Sequence, residues 1–200
     1  MTWSFSVGRL FGSELRVHAT FFLLLAWVGV ETYAAAGAEA ALENLGFVLA
    51  LFVCVIAHEY GHALMARRYG IRTPDITLLP IGGLARLERM PVTPMHEVAV
   101  ALAGPAVNVG IWAVLTGLFG ADAWRGFDGG ILDQLAAVNV VLALFNMIPA
   151  FPMDGGRVLR ALLSLRFDRR LATGIAAGAG QAVAVAMAGC GLWAGNTVLA

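Results

Sequence analysis

Five times along the chain, apolar residues run on for about the length of a membrane crossing: at 17–36, 45–66, 98–119, 131–150 and 171–193. A helix needs about 20 mostly apolar residues to span the hydrocarbon layer, so the pattern predicts about five transmembrane helices. Two stretches read differently. Residues 4–9 and 14–18 flank a Phe11-Gly12-Ser13 turn, and 75–79 and 84–88 flank Pro80-Ile81-Gly82-Gly83. Both are β-formers around turn residues, the signature of hairpins. No repeat or low-complexity linker breaks the chain, so 1–200 reads as one domain. A further apolar run begins at 195–200.

Composition turns this pattern into a class. Hydrophobic residues make up 60% of the chain and charged ones 13%, with a mean hydropathy of +0.79. Soluble domains carry roughly 45–50% apolar and about 25% charged residues, so a water-soluble globule is excluded. The expectation is an all-α polytopic membrane protein with short β-hairpins on the cytoplasmic side. The thirteen basic residues are all Arg, and twelve lie before the first apolar run, between the second and third, or after the fourth; Arg125 is the exception. The positive-inside rule places those segments and the N-terminus in the cytoplasm. With no net charge and no basic arm, nucleic-acid binding is not expected. The first apolar run is too long for a signal-peptide core and lacks a convincing small-residue cleavage site, so a cleavable signal peptide is not expected. Cys54 and Cys190 sit within apolar runs and read as small buried hydrophobes.

The chemistry concentrates in the second run, at His58-Glu59-Tyr60-Gly61-His62. Residues four apart share a helix face, so both imidazoles can reach one metal ion, and Glu59 can act as general base on water there. Ionisable groups in a lipid-embedded helix are costly and default to function. A hydrolytic zinc takes three protein ligands and leaves a position open. His18 and His96 lie at a membrane boundary and in a surface connector, and Glu97 and Asp133 read as boundary charges. Asp154 is the best third ligand, with capping of the following helix as its bland alternative. It lies inside a Pro- and Gly-broken stretch, 146–157, at the membrane depth of the histidines. A metal transporter would also place His and Asp in a bundle, but leaves Glu59 without a purpose.

HEYGH and NMIPAFPMDGGR, two spans apart, together resemble the site-2 protease family of intramembrane zinc metalloproteases. The resemblance extends to the VHATFFLLL entry, the PIGGLARL hairpin and Gly104-Pro105-Ala106-Val107-Asn108. It is nearest the prokaryotic branch that carries CBS modules, which are missing here along with most of the family's sixth core helix. It implies one Zn2+ per chain held by His58, His62 and Asp154, with Glu59 as base. Asn146 is implied to hold substrate or the oxyanion, and Asn108 to lie near the site as a substrate-binding candidate, with interhelical packing as its alternative. The implied substrate is a single-span membrane protein, of the anti-sigma-factor, pro-sigma-factor or signal-peptide-remnant type. The hairpin bearing Gly82 and Gly83 is a candidate edge for capturing an unwound substrate strand.

Overall fold

The computed structural model describes residues 3–193; the apolar run at 195–200 lies outside them. The chain begins with strands β1 (Ser4–Leu10) and β2 (Ser13–His18), continues through helix α1 (Ala19–Arg68), and returns to strands β3 (Asp75–Leu79) and β4 (Gly82–Arg86). Helices α2 (Pro94–Phe119), α3 (Ile131–Asn146), α4 (Asp154–Leu163) and α5 (Arg169–Trp193) follow, with a 3-10 segment at Ala123–Asp128.

Helix α1 contains both of the first two predicted spans, folded against each other. Gly37, at φ 85° and ψ −176°, breaks it. That backbone region is essentially restricted to glycine. Asn44 Nδ2 donates to Thr32 Oγ1 at 2.9 Å, although twelve residues of straight helix would separate them by roughly 18 Å. The Phe21 and Phe52 rings likewise meet edge to face at 4.6 Å. The element is therefore a helical hairpin of two antiparallel arms.

The two predicted β-hairpins are present, but they form one four-stranded sheet in the order β1-β2-β3-β4. Strand β2 pairs with β3 in parallel, Leu15 opposite Ile76 and Val17 opposite Leu78. This leaves β4 as one edge. Its start differs from expectation, because Gly82 and Gly83 pair with Leu79 and Leu78 as strand residues rather than forming the turn. The first hairpin closes through Phe11 and Gly12, both at positive φ, as two-residue turns with matching twist require. The sheet packs on the second arm of α1 through buried Ile76 beside Tyr60 and Ala63, and Leu78 beside Val17, Phe21 and Phe52.

Among the described residues, three helices are long and apolar enough to cross a membrane: α1, α2 and Arg169–Gly191 within α5. The fourth apolar stretch is helical only over Ile131–Asn146, four residues short of the predicted end at 150. Pro149 and Pro152 account for this, since the residue before a proline is pushed out of the helical region. Large apolar side chains such as Leu23, Trp27, Leu118 and Val185 face outward, as lipid-facing positions do.

At Gly37, alanine meets a backbone region it cannot enter cheaply, and is expected to destabilise the protein by about 1–3 kcal/mol. This is checked as a lowered unfolding midpoint in detergent. Gly46, a helical position with no positive φ and open space around it, is the control: Gly46→Ala does not lower the midpoint, since alanine is the better helix former.

Candidate metal centre and active-site cleft

The second arm of α1 presents His58 and His62 on one face, and the start of α4 brings Asp154 to meet them. His58 Nε2 and His62 Nε2 are 3.0 Å apart. Asp154 Oδ2 lies 3.2 Å from the first and 3.1 Å from the second. All three residues are buried. Asp154 reaches this position because two glycines follow it. A Cβ on Gly155 would stand 2.3 Å from the Met147 carbonyl oxygen, and one on Gly156 2.7 Å from the Ala150 carbonyl carbon. The connector 147–153 therefore lies directly on the first turn of α4. Met153, not Asp154, occupies the N-cap position, and the Asp154 carboxylate turns to the histidines.

The protonation pattern follows from the hydrogen bonds behind the rings. The carbonyl oxygen of Leu135 can only accept, so Asn139 Nδ2 donates to it at 2.8 Å. Asn139 Oδ1 then accepts from Asn108 Nδ2 at 2.8 Å. This turns Asn108 Oδ1 toward His58 Nδ1, 2.5 Å away. His62 Nδ1 faces the Val100 carbonyl oxygen at 2.7 Å. Both Nδ1 atoms thus carry a proton, and the two Nε2 atoms point inward, where a neutral ring offers a lone pair. Two imidazole nitrogens and a carboxylate oxygen converge, all three of them metal-ligating atoms, and a shared cation offsets their mutual repulsion. For metal–ligand bonds near 2.0–2.1 Å, the edges of a tetrahedron are about 3.3 Å, and the observed triangle of 3.0–3.2 Å fits one face. The residues present therefore suit a tetrahedral divalent ion with its fourth position open.

Helix α2 makes room for this centre. A Cβ on Gly104 would lie 2.3 Å from His62 Nε2 and 2.6 Å from His58 Nε2. Val100, Gly104 and Asn108 are spaced four apart, so one face of α2 supplies an acceptor, a space and a second acceptor in turn. Beside the centre, a cleft of about 470 Å³ is lined by His58, Glu59, His62, Gly82, Gly83, Asn146 and Asp154, among others. Glu59 stands outside the ligand triangle and packs against β4: a Cβ on Gly83 would meet its Cγ at 2.5 Å.

Not every residue singled out in the sequence lies where its suggested role would place it. Asn108 is wholly buried behind His58, where it orients the ring rather than meeting a substrate. Asn146 lines the cleft while one amide N–H bonds to Leu142 O of its own helix at 2.9 Å. His18 caps α1 through Thr20, and His96 stacks on Tyr69. Glu97, read as a boundary charge, is buried and holds both Arg160 of α4 and Arg169 of α5. Asn139 was not anticipated at all; a lone Asn in an apolar run, costly in lipid, was its signal.

A family model described as peptidase family M50 matches residues 46–124 and 129–189. The chain belongs to peptidase family M50. Similar curated sequences include a zinc metalloprotease of Methanocaldococcus jannaschii, 37% identical over 202 residues, covering 100% of this chain and 57% of the relative. The stage IV sporulation protein FB of Bacillus subtilis is 30% identical over 157 residues, covering 75% of this chain and 48% of that protein. The solved site-2 protease from Methanocaldococcus jannaschii superposes with a TM-score of 0.72 at 34% identity, covering 98% of this chain and 88% of that one. The chain spans about half the length of the curated relatives it matches. Relatives so matched are named zinc metalloproteases, and His58, His62 and Asp154 form a group able to hold such an ion.

Zinc content checks the geometry. Gly104→Ala drives a methyl group into the ligand triangle and is expected to lower bound zinc far below one per chain, whereas Gly110→Ala, with open space on the same helix, retains it. Asn108→Leu removes the acceptor behind His58 and weakens zinc binding by roughly 10–100-fold, the usual cost of losing such a partner.

Proposed function

We propose that residues 1–200 form the catalytic core of an intramembrane zinc metalloprotease, which hydrolyses a peptide bond in or near the transmembrane helix of a single-span membrane protein. Anti-sigma factors, pro-sigma factors and signal-peptide remnants are the classes of substrate in view. The observation that carries this reading is the position of Glu59 in the cleft, adjacent to three convergent ligands yet not one of them. A transport site has no use for a carboxylate so placed.

In this reading His58, His62 and Asp154 hold zinc, which when bound supplies Lewis acidity toward the scissile carbonyl and acidifies water. Glu59 accepts a proton from the attacking water and returns it to the departing amine, so the proton count balances over hydrolysis of the bond. Asn146 has one amide N–H beyond the bond to Leu142 and donates it toward the developing oxyanion. The substrate must present an unwound segment, because helical amides are already bonded to one another. Edge strand β4 supports that role: an extended segment pairs with its free backbone groups beside Glu59, across Gly82 and Gly83. Glycine at these positions leaves no side chain between strand and base.

The Arg-rich segments set the orientation, with the N-terminus cytoplasmic and the cleft nearer that side. Water then reaches the centre from the cytoplasm.

Glu59→Gln is expected to keep full zinc and lose cleavage of a model single-span substrate by about 10²–10⁴-fold, the usual contribution of a general base. Metal analysis and cleavage on the same preparation check both halves; residual cleavage at the wild-type rate contradicts the assignment. Of Leu84 and Ala85, consecutive in β4, one directs its N–H away from β3. Proline there removes a donor at the free edge and is expected to abolish cleavage with zinc retained, so both single variants are compared.

A further inference from the structure

Arg157 lies on the first turn of α4, with Nη1 at 3.6 Å from Asp154 Oδ1. Its Nε and Nη2 are buried and have no hydrogen-bond partner. Among the described residues, these are the only buried unpartnered side-chain donors that line the cleft. A buried guanidinium with two idle N–H groups is uncommon, because unpaired buried donors are costly and charged ones more so. The other nearby arginine of α4 shows the contrast: Arg160 is bound by Glu97.

The position of Arg157 indicates what those donors await. The cleft beside the metal centre adjoins a second one of about 490 Å³, and Arg157 lines both, as do Glu59, His62, Leu84, Ala85 and Pro152. One wall is the edge of β4; the other is the connector and first turn of α4. A peptide strand added to β4 has its near edge paired and its far edge bare. Carbonyl oxygens on that far edge face the α4 wall, and in a membrane-embedded site they need donors. Arginine offers several N–H groups in a planar fork, is always charged, and accepts nothing.

We propose that Arg157 is a substrate-binding residue whose Nε and Nη2, turned into the cleft by rotation of the side chain, donate to backbone carbonyl oxygens on the outer edge of a peptide strand held between β4 and α4. The inference rests on the proteolytic reading above and adds the second wall of its substrate groove. A competing role is purely local, with Arg157 doing no more than steadying Asp154.

The test uses the full chain carrying Glu59→Gln, zinc analysis, and the dissociation constant of a fluorescent synthetic single-span peptide in detergent. Arg157→Lys keeps a positive charge beside Asp154 and removes the fork; Arg157→Met removes both. Both variants are expected to retain zinc and weaken peptide binding, by roughly 10–100-fold for Met, the range for losing charged hydrogen bonds, and by less for Lys. Unchanged peptide binding in Arg157→Met, with the parent binding normally, overturns this inference alone. Loss of zinc in Arg157→Lys assigns the residue to Asp154 and also overturns it. If the Glu59→Gln parent binds no peptide, the proteolytic reading falls and takes the inference with it.

Discussion

Two imidazole nitrogens and one carboxylate oxygen meet within 3.2 Å of one another, an approach that a shared cation offsets. A carbonyl oxygen of α2 and an Asn side chain claim the Nδ1 hydrogens of His62 and His58. What remains are three donor atoms in a buried site, where like partial charges repel strongly. A metal ion held there couples its binding to native packing, the free energy of one contributing to the other. Each nearby feature makes sense as a condition for that event. Gly104 leaves the room, Asn139 sets which way Asn108 faces, and Gly155 and Gly156 allow the chain to bring Asp154 close.

The second condition is mechanical. Asp154 stands at the first position of a ten-residue helix, too short to be placed by its own stability. It is placed by Glu97, buried on α2, which grips Arg160 of α4 and Arg169 of α5 together. Removing one partner of a buried pair leaves a charge uncompensated, at a cost of about 3–5 kcal/mol. The helix that supplies the space and acceptors for the histidines thus also holds the helix that supplies the carboxylate. Metal site and helix packing share α2 as their common reference.

How much of this was legible in the sequence depends on how local each feature is. His58 and His62 were readable because four residues of helix fix their relation without any tertiary knowledge. Asp154 was readable by depth, since few carboxylates lie level with the histidines in the fold that the apolar runs predict. The hairpins were visible one at a time, but their union into one sheet was not: β2 and β3 are separated by the whole of α1, and parallel pairing across such a distance leaves no local signature. Asn108 and Glu97 carry roles that only neighbours assign. Each is one polar residue in an apolar helix, and its partners come from elements 31 to 72 residues away. The apolar run at 131–150 overstated its helix because hydropathy does not register the backbone cost of Pro149.

Zinc-edge X-ray absorption on the purified chain tests the central claim most directly. The account predicts one zinc with only nitrogen and oxygen neighbours, at about 2.0–2.2 Å, and a multiple-scattering signature of two imidazoles. Asp154→Ala should lose one oxygen scatterer and keep both imidazoles. A sulfur neighbour near 2.3 Å, placing Cys54 in the coordination sphere, or a spectrum that Asp154→Ala leaves unchanged, would contradict the account.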